Sequence, residues 1–71
     1  MKPFLVVEIT DGILGLIYER PTWDEAVDCA IEIIIAQIPD IDSNQVRAEL
    51  EADTNWYSPL GDITVNISQT E

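Results

Sequence analysis

The chain of 71 residues contains no histidine and only one cysteine, Cys29. A single cysteine excludes an internal disulfide and a zinc site made of several cysteines. The missing histidine removes the commonest general base and metal ligand in proteins. Because carboxylates lie near Cys29 in the sequence, they oppose formation of its thiolate and thus of an activated nucleophile. We therefore predict that the protein is not an enzyme and uses no cofactor or metal ion.

Basic residues are almost as scarce, since Lys2, Arg20 and Arg47 stand against 14 Asp and Glu residues. The formal net charge of −11 repels nucleic acid and anionic membranes, and it attracts basic surfaces from a distance. The charge imbalance predicts a partner protein with a basic surface, and no direct binding of nucleic acid or membrane.

Long hydrophobic runs are missing too, because no apolar segment approaches the roughly 20 residues of a membrane-spanning helix. The N-terminal segment lacks the features of a signal peptide, and a lone cysteine is typical of a reducing compartment. The sequence therefore predicts a cytoplasmic protein. Apolar residues still make up 46% of the chain, too many for a disordered acidic segment. Residues 1–71 should form one domain, because so short a chain cannot build two cores.

Two apolar, β-branched segments, residues 4–9 and 13–19, flank Asp11-Gly12. An Asp-Gly pair in this position is a strong signal for a β-hairpin with a two-residue type I′ turn. The register that this turn sets places Thr10 opposite Ile13. One face of the hairpin is then wholly apolar and should face the core; it carries Leu5, Val7, Ile9, Leu14, Leu16 and Tyr18. The opposite, outer face carries Phe4, Val6, Glu8, Thr10, Ile13, Gly15, Ile17 and Glu19.

A capping-box pattern, Thr22-Trp23-Asp24-Glu25, begins the next segment. It predicts a helix from Trp23 to about Ile38, ended by Pro39. The apolar residues of this segment recur at helical spacing. They predict a buried helix face of Trp23, Ala26, Val27, Ala30, Ile31, Ile34 and Ile38.

A second, shorter helix should be capped by Asp42 or Ser43 and end near Ala52. A short strand is expected at Trp56-Tyr57. Residues 62–69 predict a last strand, because apolar and polar side chains alternate there. The apolar positions of that strand are Ile63, Val65 and Ile67. The element order predicts an α+β domain, in which a small antiparallel sheet carries two helices on one face.

One side of the first predicted helix carries carboxylates without a basic partner at helical spacing. Asp24, Asp28 and Glu32 follow one another four residues apart, and Glu25 lies beside them. Like charges at this spacing destabilise a helix, so the pattern indicates selection for a basic partner. A plain solvated surface and adaptation to a salty cytoplasm are the alternatives. Asp24, Glu25, Asp28 and Glu32 are the candidate partner-binding residues.

The outer face of the hairpin is a second candidate surface. Phe4, Val6, Ile13 and Ile17 lie together on it in the predicted register, whereas the outer face of a monomer's sheet is usually polar. Contiguous apolar patches mark interaction sites. These four residues are therefore the candidate interface of a homodimer, unless the C-terminal segment or a loop covers them.

A turn segment carries oxygen-bearing side chains that are spaced like the ligands of an EF-hand calcium loop. They are Asp40, Asp42, Asn44 and Glu51. Gln45 replaces the glycine that such a loop needs for its sharp turn, and Arg47 would place a cation beside the ion. Helix capping and turn formation explain the segment without metal.

These patterns together predict a small acidic protein that binds other proteins and is not catalytic. The favoured hypothesis is inhibition, in which the acidic surface imitates nucleic acid and occludes a basic groove of a nucleic-acid-binding partner. In charge and size the chain is similar to small acidic inhibitors of this kind, a class that shares surface charge and no sequence motif. The alternative is a homo-oligomeric structural or regulatory domain that associates through the outer face of the hairpin.

Overall fold

The computed structural model describes residues 2–69. Its elements are β1 (Phe4–Thr10), β2 (Ile13–Arg20), α1 (Trp23–Gln37), α2 (Ser43–Asp53), β3 (Asn55–Tyr57) and β4 (Ile63–Gln69). The strands form one antiparallel sheet in the order β2-β1-β4-β3, and both helices pack on one face of it. The predicted α+β class is confirmed. Neither helix in the described range is both long and apolar enough to cross a membrane.

The turns and the helix starts form as their sequences predict. Asp11 and Gly12 have φ angles of 53° and 77°, as a type I′ turn requires. Thr22 Oγ1 accepts a hydrogen bond of 3.2 Å from the backbone N–H of Glu25 and so caps α1. Asp42 Oδ1 accepts from two backbone N–H groups in the first turn of α2. These contacts satisfy donors that the first turn of a helix leaves unpaired.

The core lies between the sheet and the inner sides of both helices. The predicted apolar face of α1 is confirmed, since Ala26, Val27, Ala30, Ile31 and Ile34 are buried, and Trp23 and Ile38 pack against them. The remaining buried apolar residues are Val6, Cys29, Ile33, Val46, Leu50, Trp56, Ile63, Val65 and Ile67. The burial of alternate residues in β4 also confirms the period-2 pattern of that strand.

The face of β1 that packs against the core is the one predicted to be the outer face. Val6 is completely buried and Glu8 is 5% exposed. They pair with Ile67 and Val65, the buried residues of β4, so both lie on the helix side of the sheet. The prediction that the other face of β1 forms the core was therefore wrong. Its residues, Leu5, Val7 and Ile9, are half-buried on the side away from the helices.

A β-bulge in β2 is the second departure from the predicted hairpin. Next to the turn Thr10 lies opposite Ile13, as predicted, but Gly15 and Leu16 together oppose Glu8. The bulge shifts the pairing of the rest of the hairpin by one residue. β2 is also an edge strand, and the residues predicted to be its core positions remain exposed. Leu14, Leu16 and Tyr18 are 57%, 43% and 37% exposed.

Candidate protein-binding surfaces

The solvent side of α1 carries the carboxylates that the sequence singles out. Asp24, Glu25, Asp28 and Glu32 are all exposed, because the helix buries its apolar side on the sheet and leaves its polar side in water. A separation of four residues corresponds to about 6 Å along the helix axis. The structure therefore brings these four carboxylates together on one surface, which we call the α1 acidic face.

Arg47 of α2 reaches the α1 acidic face. Its Nη2 forms an ion pair with Asp28 Oδ1. The expectation that these carboxylates lack a nearby cation was therefore wrong for Asp28. The side chains of Arg47 and Asp28 are 38% and 62% exposed, and an exposed pair contributes only about 0–1 kcal/mol, so Arg47 mainly neutralises one charge. Within residues 2–69, Asp24 and Glu32 form no ion pair.

Arg20, at the end of β2, borders the α1 acidic face, where it shares a cavity of about 360 Å³ with Glu25, Asp28 and Glu32. Its guanidinium carbon is 5.3 Å from the ring centroid of Tyr18, and its Nη1 donates to the carbonyl of Glu19. Arg20 shares a groove of about 330 Å³ between β2 and α1 with Cys29 and Glu32. Burial raises the pKa of the Cys29 thiol and Glu32 adds to the increase, while Arg20 opposes it. The thiol is thus held protonated and is a poor nucleophile.

A further acidic surface, which the predicted binding residues do not include, lies between α2 and β3. Trp56 Nε1 donates to Glu49 Oε1 at 3.0 Å, which holds the buried indole against α2. Beside it is a groove of about 240 Å³ that Asp42 and Glu49 also line. Tyr57 lines the same groove and is 62% exposed. We call this surface the α2–β3 groove, and its lining contains no lysine or arginine.

The four residues predicted to form an apolar outer face do not share one surface. Val6 is buried beneath the helices. Phe4 packs edge to face on Trp23, with ring centroids 5.8 Å apart, on the helix side of the sheet. Ile13 is 71% exposed beside the hairpin turn. Among the four, Ile17 alone lies on the face away from the helices, opposite the half-buried β1 residues.

An apolar patch does exist on that face, but other residues form most of it. The strand pairings place five apolar side chains of the hairpin together there: Leu5, Val7, Ile9, Leu14 and Ile17. The half of the face formed by β3 and β4 is largely polar; it carries Asn55, Tyr57, Thr64, Asn66 and Ser68. We call the whole surface the outer sheet face. Both helices of the described chain lie on the opposite side.

In the segment that is spaced like an EF-hand loop, the described hydrogen bonds cap a helix. Asp42 Oδ1 caps α2, and Glu51 lies on that helix, exposed to solvent. No group of three or more His, Cys, Asp or Glu side chains that could hold a metal ion is present between residues 2 and 69.

In comparisons with known proteins, the chain matches no family model, no curated protein and no solved structure. Its function is therefore inferred from the surfaces described above.

Proposed function

We propose that this protein is a non-catalytic binding module that docks its acidic helical side on a basic, nucleic-acid-binding surface of another protein and occludes it. The distribution of exposed carboxylates over the two helices and the α2 cap supports this proposal. They are Asp24, Glu25, Asp28, Glu32, Asp42, Glu49, Glu51 and Asp53. Such a field attracts a basic surface and accelerates its association.

The packing of the two helices supports the same function. The contact of Arg47 with Asp28 places the exposed sides of α1 and α2 next to each other, so the two helices offer one continuous surface. Both helices are also anchored in the core by buried apolar residues. A preformed surface loses little conformational entropy on binding. Lysines and arginines that contact these carboxylates are then unavailable to nucleic acid, which is how occlusion would inhibit the partner.

The α2–β3 groove would supply the apolar part of the contact. Aromatic residues that lie near the centre of an interface often dominate its binding energy. Tyr57 is the exposed aromatic residue of this groove, and Asp42 and Glu49 flank it with negative charge. A basic segment that also carries an apolar side chain matches this chemistry. We expect binding to take place in the cytoplasm, because a lone cysteine stays reduced there.

The test begins with capture of a nucleic-acid-binding protein from an extract of the native host by the immobilised protein. The captured partner is purified and bound to a fluorescent oligonucleotide, and the protein is titrated into that complex. We expect the anisotropy to fall as the oligonucleotide is displaced. Binding of the partner without any displacement would overturn occlusion.

A matched pair of double variants locates the contact. Asp24→Asn/Glu32→Gln removes two carboxylates from the α1 acidic face, and we expect weaker displacement. Asp11→Asn/Glu19→Gln removes the same net charge from the hairpin, and displacement should remain near that of the wild type. If both double variants weaken displacement equally, net charge rather than the α1 acidic face determines binding.

A further inference from the structure

The outer sheet face is open to solvent over the part of the chain that the structure describes, although much of it is apolar. Leu14 and Ile17 are 57% and 55% exposed, and the apolar residues of β1 beside them are half-buried. A contiguous apolar patch on a surface usually marks an interaction site. We propose that this face is the interface of a homodimer in which two sheets pack face to face.

Two cross-strand rows define the centre of this face. One row runs from Leu14 through Ile9 and Thr64 to Tyr57. The next runs from Ile17 through Val7 and Asn66 to Asn55, where Asn66 Nδ2 donates to Asn55 Oδ1 at 2.6 Å. Apolar side chains lie at the β2 end of both rows. A two-fold axis that lies between the two faces and runs across the strands would bring the apolar half of one copy onto that of the other, as an isologous interface requires.

The charge distribution favours a second copy as the occupant. Glu19, opposite Leu5, is the charged residue that the strand pairings place on this face. Within residues 2–69, the other exposed carboxylates lie on the helices and turns. Face-to-face packing would therefore keep the acidic helices of two copies on opposite outer sides, where their mutual repulsion is weakest. A basic partner would prefer the helical side, and an anionic membrane is repelled by a net charge of −11.

The size of the face predicts a dimer of modest affinity. Strands of seven, eight, seven and three residues, spaced about 4.8 Å apart, cover roughly 400 Å² of plane. Stable interfaces bury about 800 Å² of accessible surface from each partner. The contact is therefore at the small end of the range, and the dimer should dissociate on dilution. Because its interface is apolar and its subunits repel each other, added salt should strengthen it by screening the repulsion.

This inference is independent of the α1 acidic face, which lies on the opposite side of the sheet; the two proposals share Tyr57, which borders both the α2–β3 groove and the outer sheet face. Both can operate together, since the dimer would expose an acidic helical side at each end. Failure of one proposal leaves the other intact. Ile17→Glu should weaken dimerisation and preserve binding of the basic partner, whereas Asp24→Asn/Glu32→Gln should weaken binding of the partner and preserve dimerisation.

Sedimentation equilibrium of the full chain tests the dimer. We expect the apparent mass to rise with protein concentration from 8.0 kDa toward twice that value. The rise should begin at lower concentration in high salt than in low salt. A wild-type protein that remains monomeric at millimolar concentration and about 1 M ionic strength, where the Debye length is about 3 Å, would overturn the proposal.

Variants on and off the face separate this interface from other modes of association. Ile17→Glu places a charge on the face, and we expect the dimer dissociation constant to increase at least roughly tenfold. Ile17→Lys should act in the same direction despite its opposite charge. Leu60→Glu is the matched control, because Leu60 is 90% exposed in the turn before β4. A dimer that persists in both Ile17 variants, or that Leu60→Glu weakens as strongly, overturns the assignment.

Discussion

Glu8 is buried in the sheet because Gly15, which opposes it on β2, has no side chain. A Cβ atom on Gly15 would overlap Glu8 Oε1 and lie 3.3 Å from Glu8 Cδ. Gln37 Nε2 at the end of α1 donates to Glu8 Oε2, so the carboxylate keeps a hydrogen-bond partner where water is largely excluded. A buried carboxylate without such a partner would be strongly destabilising.

We predict that Gly15→Ala lowers the free energy of unfolding by about 1–3 kcal/mol, because the added methyl group forces the buried carboxylate to move. In a Glu8→Ala background the same substitution should cost little, since the obstructing group is gone. Urea denaturation of the four proteins in this double-mutant cycle measures the coupling, which we expect to exceed about 0.5 kcal/mol. Additive effects would show that Gly15 does not make room for Glu8.

Truncations in the core and on β2 test the observed hairpin. Ile34 is fully buried, so Ile34→Ala should cost about 2–5 kcal/mol. Leu16 is 43% exposed, so Leu16→Ala should cost at most about 1 kcal/mol. Thermal or urea unfolding of both variants checks this order. If Leu16→Ala costs more than Ile34→Ala, Leu16 is a core residue, as the sequence predicts, and the observed hairpin faces are wrong.

Val6→Glu should unfold the protein, because it buries an unpaired charge.

α1 and β4 could be predicted from the sequence because each has one apolar side and one polar side. In α1 the helical spacing of apolar residues, together with Thr22 as the cap, defines both its start and its buried face. In β4 apolar and polar residues alternate strictly around Val65, so only one face of the strand can be the buried one. Local patterns suffice where burial and polarity agree.

The faces of the hairpin could not be predicted, because β1 has apolar residues on both sides. In the sequence Glu8 therefore indicates the outer side, since a charged residue is rarely buried. The predicted register does place Gly15 opposite Glu8, but the hydrogen bond that Glu8 accepts in the core comes from Gln37, 29 residues away in the sequence. The bulge also shifts the strand pairing by one residue, which cannot be predicted from the type of turn. The contact of Arg47 with Asp28 likewise depends on helix packing rather than on spacing along the chain.

The environment of Cys29 predicts a pH dependence with a definite sign. Burial raises the pKa of its thiol in the folded protein, so the folded state binds the proton more tightly than the unfolded state. Stability from this group is present below the pKa of the unfolded thiol and is lost as pH rises through that of the folded thiol. The free energy of unfolding should therefore decline at alkaline pH, and this component should be absent in Cys29→Ala.

The two charged neighbours of Cys29 should shift its titration in opposite directions. Arg20→Gln removes a cation and should raise the pKa of Cys29 further, whereas Glu32→Gln should lower it. The ultraviolet absorbance of the thiolate during a pH titration of the native protein measures both shifts. Shifts of the same sign in the two variants would contradict this electrostatic account.

Tyr57 provides a test of the apolar part of the proposed partner contact. Because it is 62% exposed, Tyr57→Ala should change the free energy of unfolding by only about 0.5 kcal/mol. If Tyr57 anchors the partner, the same substitution should weaken binding by about 2 kcal/mol. Isothermal titration calorimetry with the captured partner measures the difference. Leu60→Ala is a control for the loss of another exposed apolar side chain.

The salt dependence of partner affinity tests the central claim, binding of a basic surface by the α1 acidic face, most directly. The association constant should fall steeply as salt rises, because the contacts are between exposed charges. In Asp24→Asn/Glu32→Gln the logarithm of this constant should fall less steeply with the logarithm of salt concentration, since two contacts are lost. In Asp11→Asn/Glu19→Gln the slope should equal that of the wild type. An unchanged slope in the α1 variant, or an affinity that rises with salt, would contradict the claim.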